Sequence, residues 1–272
     1  EKTFNLRSGI WVVKNIFKKC VFLTDNPLDN PGNFSYIRPN LFNHRFRGLT
    51  ANHVTPQKTA SKRIGCLLIH GFTGTPWVFQ EFKSYLEEKQ VIVSDPLLPG
   101  HGTTPEDLNR TRWEQWAACA AENLEGLRSR CDSLFIAGLS MGGVIALHTA
   151  QNRPCDGVIT MSAPSRFSRS MTAVVPILRL FKRSWRKSGP QEHQKEEVGY
   201  DRYPLNALTQ MIRMMETVRK GMKAIRVPLL VMHSKGDRRV PGSNSRELFD
   251  AAASERKRIL LLDHPCHVVT KG

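Results

Sequence analysis

Residues 134–151 read LFIAGLSMGGVIALHTAQ, and this stretch decides the fold. Leu134–Ala137 is an apolar run of the length of a buried strand, and Gly143–Gln151 reads as a helix. Between them lies Gly138-Leu139-Ser140-Met141-Gly142, a Gly-x-Ser-x-Gly pattern. By composition alone such a pattern arises by chance in about one chain of this length in ten, so its flanks carry the weight. A strand before it and a helix after it make a sharp turn that lifts the Ser140 hydroxyl above the sheet edge. Small residues at 138 and 142 suit a turn whose strand and helix nearly touch. The first N–H groups of the following helix have no partner within it and face developing negative charge. The Met141 N–H is therefore expected to be one donor to an oxyanion, a task for the backbone alone.

Outward from this turn the same rhythm repeats. Cys66–Ile69, Val91–Ser94, Val158–Met161, Leu229–His233 and Ile259–Leu262 are short apolar runs read as buried strands. Helical stretches fall around Trp77–Lys89 and Arg112–Ser129, the latter with Trp116, Ala120, Leu124 and Leu127 on one face. Strands alternating with amphipathic helices imply an α/β class with a mostly parallel central sheet flanked by helices. His70-Gly71-Phe72-Thr73-Gly74 follows the Cys66–Ile69 strand directly, and its glycines let a backbone approach a ligand. The Phe72 N–H is expected to be the second oxyanion donor, with His70 a buried structural histidine. The loop Pro99–Gly102 reads as a tight turn, and Trp113 and Trp116 as core or pocket wall.

A serine hydroxyl needs a base to become a nucleophile, and on this framework the chain order is serine, acid, histidine. Asp237, just after the Leu229–His233 strand, is the expected acid, with Asp263 as its rival and a strand-end turn as the bland account of Asp263. Only His264 and His267 come later still. His264 precedes Pro265, which restricts its backbone, so His267 is the expected base.

These motifs resemble the α/β-hydrolases, and among them the bacterial carboxylesterases and monoacylglycerol lipases. The matching pieces are LLIHGFTGTP at 67–76, PGHGTTPEDL at 99–108, TRWEQW at 111–116, LSMGG at 139–143, GDRRVP at 236–241 and CHVVT at 266–270. The resemblance runs over about residues 64–270 and implies a Ser140–Asp237–His267 triad, with oxyanion donors at Phe72 and Met141. It implies hydrolysis of a carboxylic ester with a fairly apolar acyl chain, through an acyl-enzyme, with no metal or organic cofactor. Thioesterase, acyltransferase and peptidase chemistry share the same triad. A non-catalytic binding module is the rival from another class, while a haloalkane dehalogenase would carry Asp in place of Ser140.

The domain reading follows: 1–63 an N-terminal extension, 64–164 and 206–272 the α/β-hydrolase core, and 165–205 a cap inserted before the acid-bearing strand. Thr172–Lys187 (TAVVPILRLFKRSWRK) is apolar with a cationic end and suits a cover for an apolar substrate. The net charge is +16, and residues 1–65 hold eleven Lys/Arg against three Asp/Glu. No nucleic-acid fold signature accompanies the charge, which excludes that partner. The excess reads first as solvated surface and second as weak association with an anionic membrane surface. Ile10–Leu23 is too short and too often interrupted by lysine to span a bilayer; it reads as a packed helix or strand, or as an interfacial helix. The six scattered cysteines lack metal spacing and read as reduced thiols of a cytoplasmic, membrane-peripheral protein. The chain starts at Glu1 and stops at Gly272, where a closing helix would be expected, so a fragment is anticipated.

Overall fold

Six of the apolar runs hydrogen-bond side by side in a computed structural model, which describes residues 62–187, 199–263 and 265–270. The extension 1–61 with Ile10–Leu23, the middle of the insert (188–198) and His264 lie outside the described residues. The chain runs β1 (Ile64–Ile69), a 3-10 turn (Pro76–Phe79), α1 (Gln80–Glu88), β2 (Ile92–Ser94), α2 (Pro105–Arg110), α3 (Trp113–Arg128), β3 (Ser133–Leu139), α4 (Met141–Asn152) and β4 (Gly157–Met161). It continues through α5 (Arg169–Leu178), β5 (Ser184–Arg186), β6 (Arg202–Pro204), α6 (Leu205–Gly221), β7 (Leu229–Ser234), α7 (Ser243–Ala251) and β8 (Lys257–Leu262).

The main sheet has the order β2-β1-β3-β4-β7-β8, with each neighbouring pair parallel. Parallel strands covered on both faces need apolar residues on both, which is why they read as unbroken runs. Alternate residues separate cleanly. Leu67, Ile69, Leu134, Ile136, Val158, Leu229 and Val231 pack with α3, α4 and α6 on one face. Cys66, Leu68, Phe135, Ala137, Ile159, Met161, Leu230 and Met232 pack with Phe79, Phe82 and Leu86 on the other. Removing one such side chain, as in Ile136→Ala, costs about 2–5 kcal/mol through lost transfer energy and the cavity left behind.

From β1 the chain adds β2 on one side, then returns to add β3 on the other. Ligands of parallel α/β sheets bind outside the carboxyl ends of the strands at such a reversal. Here the two segments that straddle it are the loop after β1 and the turn after β3. The stretch between β4 and β7 leaves this rhythm: it forms α5, the antiparallel pair β5–β6, and α6. Among the described residues no helix is long and apolar enough to cross a membrane.

Candidate active site

The turn after β3 holds Ser140 at φ 55, ψ −120, a conformation a non-glycine residue adopts only under external constraint. Two constraints are visible. Ser140 N–H donates to the Met161 carbonyl on β4 at 2.7 Å. Gly142 packs so tightly on β1 that a Cβ there would stand 1.9 Å from the Ile69 carbonyl oxygen. The Ser140 carbonyl accepts from Gly143 and Val144 at 2.9 and 3.3 Å, which starts α4. The Met141 N–H, at the first position of that helix, donates to no described residue.

The loop after β1 lies against this turn, the space beside Gly71 being 3.3 Å from the Leu139 carbonyl oxygen and 3.4 Å from the Ser140 Cβ. Gly74 N–H donates to the Gly71 carbonyl at 3.1 Å, closing a turn with Phe72 and Thr73 at its centre. The Phe72 N–H, like that of Met141, donates to no described residue. His70 secures the loop from behind: its Nδ1–H donates to the Gly71 carbonyl at 3.0 Å, and its Nε2 accepts from Leu98 N–H at 3.1 Å. Burial pushes the His70 imidazole down to about 4, against which its hydrogen bond to Gly71 works. His101, its ring 4.9 Å from that of His70, is pushed down to about 3 by burial and by His70 itself. Trp116 is fully buried and donates to the Pro99 carbonyl, while Trp113 is partly buried against His148.

Asp237 and His267 meet at the far end of the same sheet edge, following β7 and β8. His267 Nδ1 lies 2.6 Å from Asp237 Oδ2. The Asp237 side chain is wholly buried, and its Oδ1 accepts from the N–H groups of Arg239 and Val240 at 2.8 and 3.0 Å. Burial alone would raise this carboxyl. The hydrogen bond from His267, its charge, and the Val240 and Arg239 amides outweigh that and hold it below the usual carboxylate range. An ionised carboxylate only accepts, so Nδ1 is the donor, and in the neutral ring Nε2 carries the lone pair. Asp263 lies elsewhere, 70% exposed and paired with Lys235 at 2.8 Å. The Ser140 hydroxyl hydrogen-bonds to no described residue, His267 included.

Several supporting residues were not singled out in the sequence. His233 donates from Nε2 to the Val240 carbonyl at 2.9 Å and accepts at Nδ1 from Ser245 at 2.7 Å, shaping the loop that carries Asp237. Thr270 Oγ1 donates to the Val78 carbonyl at 2.7 Å and anchors the segment just after His267. The only signal for Thr270 lay in the CHVVT match. Among the described residues no group of three or more His, Cys, Asp or Glu converges as a metal site.

Comparison with known proteins adds an independent line. The family described as serine aminopeptidase, S33 (Hydrolase_4) matches residues 60–271. A thermostable monoacylglycerol lipase of Bacillus sp. (strain H-257) is 32% identical over 212 residues, 76% of this chain and 84% of that protein. A carboxylesterase of Bacillus subtilis (strain 168) is 26% identical over 208 residues, 75% of this chain and 84% of that protein. A solved structure from work on the metagenome-derived lipolytic enzymes LipS and LipT superposes with a TM-score of 0.72 at 27% identity, covering 77% of this chain and 87% of that one.

Proposed function

The chain belongs to the Hydrolase_4 family (serine aminopeptidase, S33) and is a serine hydrolase of carboxylic esters, and from that premise we propose that Ser140, Asp237 and His267 form its triad, with the Phe72 and Met141 amides as the oxyanion donors. The observation that carries this reading is the 2.6 Å contact between His267 Nδ1 and the buried Asp237 carboxylate. It follows the same sheet edge that presents Ser140 at φ 55. The Phe72 and Met141 amides donate to no described residue, and they belong to the two turns that meet at Ser140.

In this mechanism His267 Nε2 takes the Ser140 proton as Oγ attacks the ester carbonyl. The Phe72 and Met141 N–H groups hold the oxyanion. The intermediate collapses and the alcohol leaves with the proton from His267. Water then attacks the acyl-enzyme, giving its proton to His267, and Ser140 recovers a proton as the carboxylic acid departs. Asp237 fixes the ring and stabilises its charged form throughout. The Ser140–His267 hydrogen bond forms with substrate, since such bonds often tighten only in the Michaelis complex.

The substrate is a carboxylic ester with an apolar acyl chain, of the monoacylglycerol kind, and residues 165–205 act as its cap. The names of the Bacillus relatives support this choice over the peptide bond that the family's description mentions. The cap also suits weak docking on an anionic membrane. Leu180, Phe181 and Trp185 are 72, 80 and 56% exposed, and residues 169–187 carry six Lys/Arg and no acidic residue. Such a face fits a peripheral position on the cytoplasmic side. Co-sedimentation with phosphatidylserine vesicles at low salt, lost at high salt, is expected; equal recovery with neutral vesicles or none would end that part.

The central test is Ser140→Ala, assayed on monoacylglycerols, p-nitrophenyl esters, a thioester and an aminoacyl p-nitroanilide. Hydrolysis of the esters and fluorophosphonate labelling are expected to vanish together. Full ester hydrolysis by Ser140→Ala would overturn the assignment, and a wild type faster on the anilide would overturn the substrate class.

A further inference from the structure

The insert and the loop after β1 meet at Thr73, the residue that follows the Phe72 donor. Thr73 sits at φ 63, a left-handed conformation that a β-branched residue keeps only when its surroundings hold it. The insert supplies the hold. Lys187 Nζ donates to Thr73 Oγ1 at 2.8 Å. Tyr200 N–H donates to the Thr73 carbonyl at 3.2 Å. Gly199 comes so close that a Cβ there would stand 2.4 Å from the Thr73 carbonyl oxygen, so this approach admits glycine alone.

Further contacts make the hold stiff. The Phe72 ring stacks on Tyr203 of β6, with centroids 6.3 Å apart and 14° between the planes. The Lys187 ammonium lies 5.2 Å from the Tyr203 ring centroid. Tyr200 donates its hydroxyl proton to the Gly100 carbonyl at 2.9 Å and accepts from Thr103 N–H at 3.0 Å. Lys187 N–H donates to the Asp201 carbonyl at 2.9 Å, joining the two arms of the hairpin. Phe72 and Thr73, the two central residues of a four-residue turn, are thus held by the insert through a ring, a side-chain hydroxyl and a carbonyl.

We propose that Lys187 and Tyr200 are positioning residues for the hydrolytic step: through Thr73 the insert hairpin aims the Phe72 N–H at the oxyanion. The inference rests on the assignment of Ser140 and Phe72 above and deepens it. An oxyanion donor acts by being already in place when charge develops, and a displacement of about 1 Å is costly to the rate. A turn strained at Thr73 has no reason of its own to stay there. The hairpin therefore contributes to kcat and not merely to covering the substrate.

The experiment compares wild type, Lys187→Met, Thr73→Val, the double variant, Lys187→Arg, Tyr200→Phe and the neighbouring control Arg186→Met. Each is assayed on a short-chain p-nitrophenyl ester that hardly reaches the insert. Rates are expressed per active site by fluorophosphonate titration to completion, which removes any effect of misfolding. Affinity for a trifluoromethyl ketone reports on the tetrahedral state. Lys187→Met and Thr73→Val are each expected to lower kcat roughly five- to tenfold, the value of one hydrogen bond, with KM within twofold. Ketone affinity should fall by the same factor. The double variant should be no worse than either single one, because both remove the same bond. Tyr200→Phe should lower kcat in the same sense, Lys187→Arg should recover most of the rate, and Arg186→Met should match wild type. Unchanged kcat and ketone affinity in Lys187→Met and Thr73→Val would overturn the proposal, as would losses that multiply in the double variant. Retained ester hydrolysis by Ser140→Ala would instead overturn the Ser140 assignment, so the two failures are distinct.

Discussion

Acid is expected to unfold this protein through the imidazoles behind the loop that follows β1. His70 and His101 are buried side by side, pushed down from 6.5 to about 4 and about 3. In the unfolded chain both protonate near 6.5, while in the folded chain both stay neutral well below that. The unfolded state therefore binds more protons through this window, so the stability is present above pH 6.5 and lost as pH falls towards the folded values. One pKa unit corresponds to about 1.4 kcal/mol, so at pH 5 each ring costs about 2 kcal/mol and the pair about 4 kcal/mol relative to pH 7. That is a large part of a typical net stability of about 5–15 kcal/mol. His101→Phe isolates one of the two. It keeps an aromatic ring among His70, Phe72 and Trp116 and removes a buried Nε2 that has no hydrogen-bond partner among the described residues. The Pro99 carbonyl, which loses His101 Nδ1, keeps Trp116 Nε1 at 3.1 Å. Urea unfolding of both proteins at pH 7, 6 and 5 is expected to show a shallower acid loss in the variant, by about 1.4 kcal/mol per pH unit below 6.5. His233, also buried with its pKa lowered by burial, titrates in both proteins and cancels in the difference. Parallel pH profiles for wild type and variant would refute the reasoning.

Two further outcomes follow from the geometry. Gly142→Ala sets a Cβ against two backbone carbonyls, 1.9 Å from that of Ile69 and 2.6 Å from that of His70, which no rotamer change relieves; a loss of about 3 kcal/mol or more and no measurable esterase activity are expected, and a wild-type melting temperature would contradict the packing described. Asp237→Asn removes the acceptor that sets the His267 tautomer, so kcat is expected to fall by about 10³–10⁴ with KM little changed; steady-state kinetics retaining more than a tenth of the rate would refute that role.

Strands and their carboxyl-end turns were legible because parallel strands buried on both faces leave unbroken apolar runs, as in Leu134–Ala137 and Leu229–His233. The same strand–turn–helix logic singled out Ser140, and chain order pointed to Asp237 and His267, which the structure brings to 2.6 Å. Four helices lie outside the stretches read as helical in the sequence, Pro105–Arg110, Arg169–Leu178, Leu205–Gly221 and Ser243–Ala251, and two of them carry plain signals. Leu205–Gly221 has Leu205, Leu208, Ile212 and Met215 at helical spacing, all buried. Pro105–Arg110 opens with Thr104 as a side-chain cap, proline at its start and acids in its first turn. The contacts at Thr73 were not legible at all. Lys187 lies 114 residues from Thr73 in sequence, and local patterning states which face of an element is apolar, not which distant side chain will cross to it.

The constraint on the site is unevenly distributed, and the unevenness matches the chemistry. Ser140 is held by a hydrogen bond to the central strand β4 and by contact between Gly142 and β1. Ser140, the proposed nucleophile, thus stands on a turn clamped between two inner strands of the sheet, where a strained backbone is over-determined by its neighbours. His267 lies beyond the edge strand β8, tied by Asp237 on one side and by Thr270 to the Val78 carbonyl on the other. The Phe72 turn lies beyond the end of β1, secured from behind by His70 and on its other side by the insert, through Lys187, Tyr200 and Tyr203. On the proposed assignment, the attacking group is built into the sheet, while the base and the Phe72 donor sit on loop segments secured by side chains from elsewhere in the chain. On the proposed assignment, variation in the insert reaches the Phe72 donor as well as the substrate, and exchanging the insert is expected to alter rate together with specificity.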